Sequence, residues 1–186
     1  MKIIAFDDDI SKILTIFSIS KGSAFSRKDL KELTKFNNVN LDNAINTLIN
    51  SKLLRKEKRL MRLNLDESKT VIEVVLGDYK NIRELPLDVY FSILDLVYYL
   101  RNLKGTNVHL FGSYAKLVYK EKSDIDILVI SDKISTTIKK EIEIIVKKVY
   151  SRYSKKIEMH YFGNNFYKNA KDPFVLDVLK NGIKLI

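Results

Sequence analysis

The chain contains no cysteine and only two prolines. Without cysteine it can form no disulfide, no thiolate metal site and no cysteine nucleophile. It also lacks any apolar run of the roughly 18–20 residues that would cross a bilayer. The opening MKIIAFDDDISK has too short an apolar stretch and an acidic cluster, which does not fit a signal peptide. These absences predict a cytoplasmic protein with no membrane partner. No internal repeat or low-complexity tract is present. The two prolines, Pro86 and Pro173, therefore serve as isolated punctuation.

Charge of one sign is also in deficit. There are 33 lysines and arginines against 23 acids, a formal net charge of +10 over 186 residues. Such a balance favours polyanionic partners. A hydrophobic content of 46% with 30% charged residues describes a soluble globular protein. The length allows one domain or two small ones.

The stretch with most chemical content is VHLFGSYAKLVYKEKSDIDILVI, residues 108–130. It reads as strand, tight turn, short helix and second strand. Gly112 permits a sharp turn and close approach of a ligand. Ser113 adds a hydroxyl and a backbone N–H at a helix start, where phosphate oxygens bind. Asp124 and Asp126 are two apart at the head of an apolar strand, so they share a face. Alone, an Asp-x-Asp at a strand end is also an ordinary exposed turn. Paired carboxylates repel, and a hard divalent cation such as Mg²⁺ relieves the repulsion.

The combination of Phe111-Gly112-Ser113-Tyr114-Ala115 with Ser123-Asp124-Ile125-Asp126-Ile127-Leu128-Val129 resembles the core motif of the polymerase-β-like nucleotidyltransferases, particularly the minimal ones. The resemblance covers about residues 85–186. It implies an α/β (α+β) fold with a small mixed sheet flanked by helices. It also implies metal-assisted transfer of a nucleoside monophosphate from an NTP. By resemblance, Asp124 and Asp126 hold Mg²⁺ (or Mn²⁺), and Gly112, Ser113 and Lys116 contact the nucleotide. Members often continue this motif with Arg-Gly, whereas this chain has Lys116-Leu117. Lys116 keeps the charge without the planar fork. The resemblance further places a third acid at Glu158, as metal ligand or general base. His160 shares its face and would either contact phosphate or pack.

The N-terminal half reads as three helices and a basic hairpin. Ile10, Ile13, Leu14 and Phe17 mark a helix through about Ile19 after an Asp7-Asp8-Asp9 cap. A short strand is expected over 1–6. Ser26 and Asp29 resemble a capping box. Asn37-Asn38 reads as a turn, and Leu41 to Ser51 as the third helix. Leu60 to Leu65 alternates like a strand. About residues 8–75 resemble a winged helix-turn-helix domain. Six basic residues and one acid lie from Lys52 to Arg62. The resemblance implies duplex DNA as partner, touched by Arg55, Lys56, Lys58, Arg59 and Arg62 at phosphates and by Asn43, Asn46 and Thr47 in the groove. The same residues also describe a solvated hairpin and an exposed helix face.

A strand or helix start is expected over Val71–Leu76. The domains are set at 1–78, winged helix-turn-helix, and 79–186, nucleotidyltransferase. The second opens with helix 87–103, apolar around much of its circumference and therefore core or a homodimer interface. Helix 133–153, a strand at 156–162 and a helix from Pro173 to about Lys180 complete it, with Ile183 to Ile186 as an apolar tail. Three functions remain open. One is an enzyme that transfers a nucleoside monophosphate to a protein or nucleic-acid hydroxyl. Another is a DNA-binding regulator whose nucleotidyltransferase domain only senses nucleotide or is inactive. The third is a dimeric scaffold built on helix 87–103.

Overall fold

In the computed structural model, which describes residues 8–20, 22–67, 82, 84–103, 105–169 and 171–186, Ser26 ends a strand and caps a helix at once. Its hydroxyl accepts from the Asp29 N–H at 3.2 Å, and the Asp29 carboxylate accepts from the Ser26 N–H at 2.7 Å. This capping box satisfies two donors at the helix start that no intrahelical carbonyl can reach. The strand expected over 1–6 and the element expected over 71–76 lie outside the described residues.

The chain divides into two units, Met1–Lys80 and Asn81–Ile186. In the first, the elements are α1 (Asp8–Ile19), β1 (Ala24–Ser26), α2 (Arg27–Thr34), α3 (Asn38–Asn50), β2 (Leu54–Glu57) and β3 (Leu60–Leu63). The strands form an antiparallel sheet in the order β1-β3-β2. Ile13, Leu14, Phe17, Leu30, Leu41 and Leu48 are buried, so the predicted stripes of the three helices form the core.

Two readings need correction here. Asn37 and Asn38 are not a free turn. The Asn37 side chain accepts from the Asn40 N–H at 2.8 Å and caps α3, which therefore starts three residues before Leu41. The alternation from Leu60 stops at Leu63, and Leu65 is exposed in a helical turn.

The second unit contains α4 (Leu87–Leu100), β4 (Asn107–Phe111), α5 (Gly112–Ala115), β5 (Ile125–Ile130), α6 (Thr136–Tyr153), β6 (Ile157–Phe162), a 3-10 turn (Asn164–Lys168), α7 (Pro173–Asn181) and β7 (Ile183–Lys184). The sheet order is β6-β5-β4-β7. β5 and β6 are parallel and joined through α6, and the other pairs are antiparallel. The expected apolar tail is thus a fourth strand, with Leu110 opposite Ile183.

Strand parity assigns the two faces of this sheet. Ile125, Ile127 and Val129 share one face with Val108 and Leu110, all fully buried. On the other face, Leu128 and Ile130 pack with Phe111, Phe166, Val175 and Val178. Asp126 lies on this second face, at the end where the apolar cover stops. Helix α4 buries Val89, Phe91, Ile93, Leu96 and Leu100. It packs on α6, with the Tyr99 hydroxyl donating to Glu141 at 2.6 Å and Arg152 paired to Asp95 at 3.0 Å. Its apolar circumference is therefore used as core. Among the described residues, no helix is long and apolar enough to cross a membrane.

Candidate active site

Gly112 sits at the exit of β4 with φ +70°, a conformation that favours glycine. An added Cβ there would fall onto the Asp126 side chain, 2.9 Å from Cγ and 3.2 Å from Cβ. The glycine therefore makes two allowances. It turns the chain from β4 into α5, and it leaves the volume that the Asp126 carboxylate occupies. Tyr114, fully buried and stacked on Tyr119 at 4.6 Å, anchors the turn from below.

Register then sets the remaining groups. Asp126 pairs with Phe111 on β4 and with Glu158 on β6, and the next same-face row pairs Leu128 with His160. Glu158 and His160 thus flank Asp126 from the edge strand. One ligand atom from each of Asp126, Glu158 and His160 lies within 4.8 Å of the others. The His160 Nε2 is 3.6 Å from the Glu158 Oε1, and its ring meets Phe111 edge-on at a 5.1 Å centroid distance.

Burial raises the Asp126 pKa above its ordinary value, and the neighbouring Glu158 carboxylate raises it further. A group so placed favours a cation. Two carboxylates and an imidazole are a fitting donor set for a divalent ion, and the space above Gly112 admits the first of them.

Asp124 stands outside this cluster. It precedes β5 and is ion-paired with Lys156, which precedes β6 in the same row. The hydrogen bond to Asp124 raises the Lys156 pKa. Of the acids predicted for metal, the structure brings Asp126 and Glu158 together and pairs Asp124 with a lysine. Ser113 lies beside Gly112 in α5, half-buried. Lys116 points its Nζ to Asp177 on α7, at 2.7 Å. Leu117, where the Arg-Gly pattern has glycine, has φ +57°.

Sequence reading weighed His160 only as a phosphate contact or a packed side chain, not as a metal ligand, and left Lys156 out of the site. The available signal was the alternation Lys156-x-Glu158-x-His160, which matches Asp124-x-Asp126-x-Leu128 row by row once the strands are known to be parallel and in register.

The predicted nucleic-acid residues of the first unit fall into separate places. Asn46, Lys56, Lys58 and Arg59 line a groove of about 530 Å³ with Arg27, Lys28 and Met61. Lys58 and Arg59 form the two-residue turn between β2 and β3, with Glu57 opposite Leu60 and Lys58 at φ +56°. Asn43 and Thr47, one turn apart on α3, line a different pocket with Asp9 and Asn40. Arg55 and Arg62 pair across the hairpin and are engaged by Asp66 at 3.3 Å and Glu57 at 3.1 Å.

Comparison with known proteins places this geometry. Residues 96–184 match the family described as the nucleotidyltransferase domain. A protein of Methanocaldococcus jannaschii with the provisional name protein adenylyltransferase is 36% identical over 82 residues, which is 44% of this chain and 80% of that relative. The matched span contains Gly112, Ser113, Asp124, Asp126, Glu158 and His160. The chain belongs to the nucleotidyltransferase domain family and is a nucleotidyltransferase.

Proposed function

We propose that residues 79–186 transfer a nucleoside monophosphate from an NTP to a hydroxyl of a protein or nucleic acid in a divalent-metal-dependent reaction. The relative's name favours ATP as donor and a protein side chain as acceptor. The observation that carries the proposal is the fit of the Asp126 carboxylate into the space that Gly112 leaves, in register with Glu158.

Asp126, Glu158 and His160 would hold the metal, with Asp124 available if Lys156 swings away. When bound, such an ion withdraws charge from the triphosphate and favours departure of pyrophosphate. The backbone at Gly112 and the Ser113 hydroxyl orient the β- and γ-phosphates. Lys116 contributes a positive charge nearby once released from Asp177. Half-exposed Glu158 faces solvent, where an acceptor arrives, and takes the hydroxyl proton. The acceptor oxygen bonds to the α-phosphorus as the bond to the pyrophosphate oxygen breaks.

Residues 1–78 are proposed as a winged helix-turn-helix domain that binds duplex DNA. Three helices with an antiparallel β1-β3-β2 sheet and the cationic groove beside α3 support this. The regulator reading is retained only in this form, as a DNA-binding unit attached to an enzyme.

The test is Glu158→Gln. Nucleotide binding should weaken only in part, because Asp126 and His160 remain as ligands, and transfer should fall further, by about 10²-fold or more, the scale for loss of a general base. Equal transfer rates for Glu158→Gln and wild type would remove Glu158 from the mechanism.

A further inference from the structure

We infer that the metal site takes a nitrogen ligand, His160 Nε2, and therefore prefers a first-row transition-metal dication to Mg²⁺. The inference rests on the proposed nucleotidyl-transfer site and specifies its ion.

The geometry points to this in three ways. First, His160 completes the only group of three or more carboxylate or imidazole donors assembled here among the described residues, with ligand atoms within 4.8 Å. Second, its ring is held. Phe111 meets it edge-on, and Phe174 lies at 6.5 Å, so the imidazole is positioned by packing. Its Nε2 is turned toward Glu158, at 3.6 Å, a separation that two ligands of one ion can have. Third, Asp124, the first aspartate of the motif, is not gathered with Asp126 and Glu158 in this arrangement and is paired with Lys156 instead.

The chemical consequence follows from ligand preference. Mg²⁺ demands oxygen donors in near-ideal octahedral geometry and gives up water reluctantly. An imidazole nitrogen shifts preference toward first-row transition metals, whose affinity at mixed nitrogen and oxygen sites exceeds that of Mg²⁺. Two carboxylates and one imidazole leave further positions open for phosphate oxygens. His160 is therefore a specificity-determining ligand for the ion, distinct from the proton-accepting role of Glu158.

The experiment uses the full chain with Mn²⁺ alone and Mg²⁺ alone as probes, in wild type, His160→Ala, His160→Gln and Asp126→Asn. Calorimetry reads affinity, and pulsed electron paramagnetic resonance of bound Mn²⁺ reads nitrogen coupling. Wild type should bind Mn²⁺ at least about tenfold tighter than Mg²⁺ and show a directly coordinated nitrogen. His160→Ala and His160→Gln should lose the nitrogen signal and most of the preference, with Mg²⁺ binding little changed. Circular dichroism of both variants checks that the fold is intact. Wild-type Mn²⁺ without nitrogen coupling, or a preference that survives in both His160 variants, would overturn the inference. If Asp126→Asn alone abolishes binding in that case, the oxygen-ligand site and the proposed reaction stand, and only the role of His160 fails. If Asp126→Asn binds both ions as wild type does, the proposed metal dependence fails with it.

Discussion

Asp126 on β5 and Glu158 on β6 are partners in a parallel ladder, so their carboxylates lie side by side on one face of the sheet. Burial and this neighbour together push the Asp126 pKa up. The ordinary stability argument gives the consequence. An acid whose folded pKa exceeds its unfolded value binds more protons in the native state, so it destabilises the fold as pH rises through that window.

Asp126→Asn should therefore raise the urea midpoint of the metal-free protein at neutral pH. The gain should vanish at a pH below the unfolded value of about 3.8 for an aspartate, where both forms are neutral. Metal should stabilise wild type and leave Asp126→Asn unchanged. An Asp126→Asn protein less stable than wild type at neutral pH without metal would contradict the strain assigned to this pair.

Gly112→Ala combines a left-handed backbone with an overlap onto Asp126. A loss of about 1–2 kcal/mol or more is expected from the backbone alone. Because the carboxylate must also move, nucleotide binding should drop together with stability. Denaturation and nucleotide titration on the same preparation check both. A variant with wild-type midpoint and affinity would show that the turn tolerates a side chain.

Leu117 offers the opposite substitution. Its φ of +57° is unfavourable for leucine, and the side chain is 48% exposed, so little packing is lost on removal. Leu117→Gly should stabilise the protein by about 0.5–1 kcal/mol, the relief of left-handed strain less the entropy cost of glycine. Chemical denaturation reads this directly, and a lower midpoint would refute it.

For the first unit, the groove gives a selective prediction. Lys56→Ala, Lys58→Ala and Arg59→Ala together should weaken duplex DNA binding and reduce the salt slope by about 0.9 per lost phosphate contact. Asn43→Ala and Thr47→Ala line the other pocket and should leave binding near wild type. Fluorescence anisotropy across a salt series separates the two sets. Unchanged binding and salt slope in the Lys56, Lys58 and Arg59 variant would mean that duplex DNA does not use this groove, and equal losses from both sets would mean that it contacts both places.

Much of this was legible in the amino-acid order. The helix stripes, the Ser26–Asp29 box, the Pro173 start of α7 and the strands around Asp126 follow from periodicity and capping chemistry. The start of α3 was misplaced because Asn37 serves equally well as turn residue and N-cap. β7 was missed because two residues carry no alternation. The family resemblance set Glu158 on a strand beside Asp126, and the two do pair in register, but the pairing of Asp124 with Lys156 depends on strand register. Parallel register between elements separated by an 18-residue helix is not written in local pattern. His160 was visible as a same-face residue, yet its placement needed Phe111 from a third strand.

The central claim is that the Gly112–Asp126–Glu158 arrangement transfers the α-phosphoryl group with its nucleoside. The most direct measurement incubates full-length protein with cell extract, divalent metal and ATP labelled in either the α- or the γ-phosphate. Asp126→Asn serves as control. The account predicts α-label on a macromolecule with wild type, no γ-label, and a loss of about 10²-fold or more with Asp126→Asn. Transfer of γ-label, or α-label appearing equally with Asp126→Asn, would contradict it.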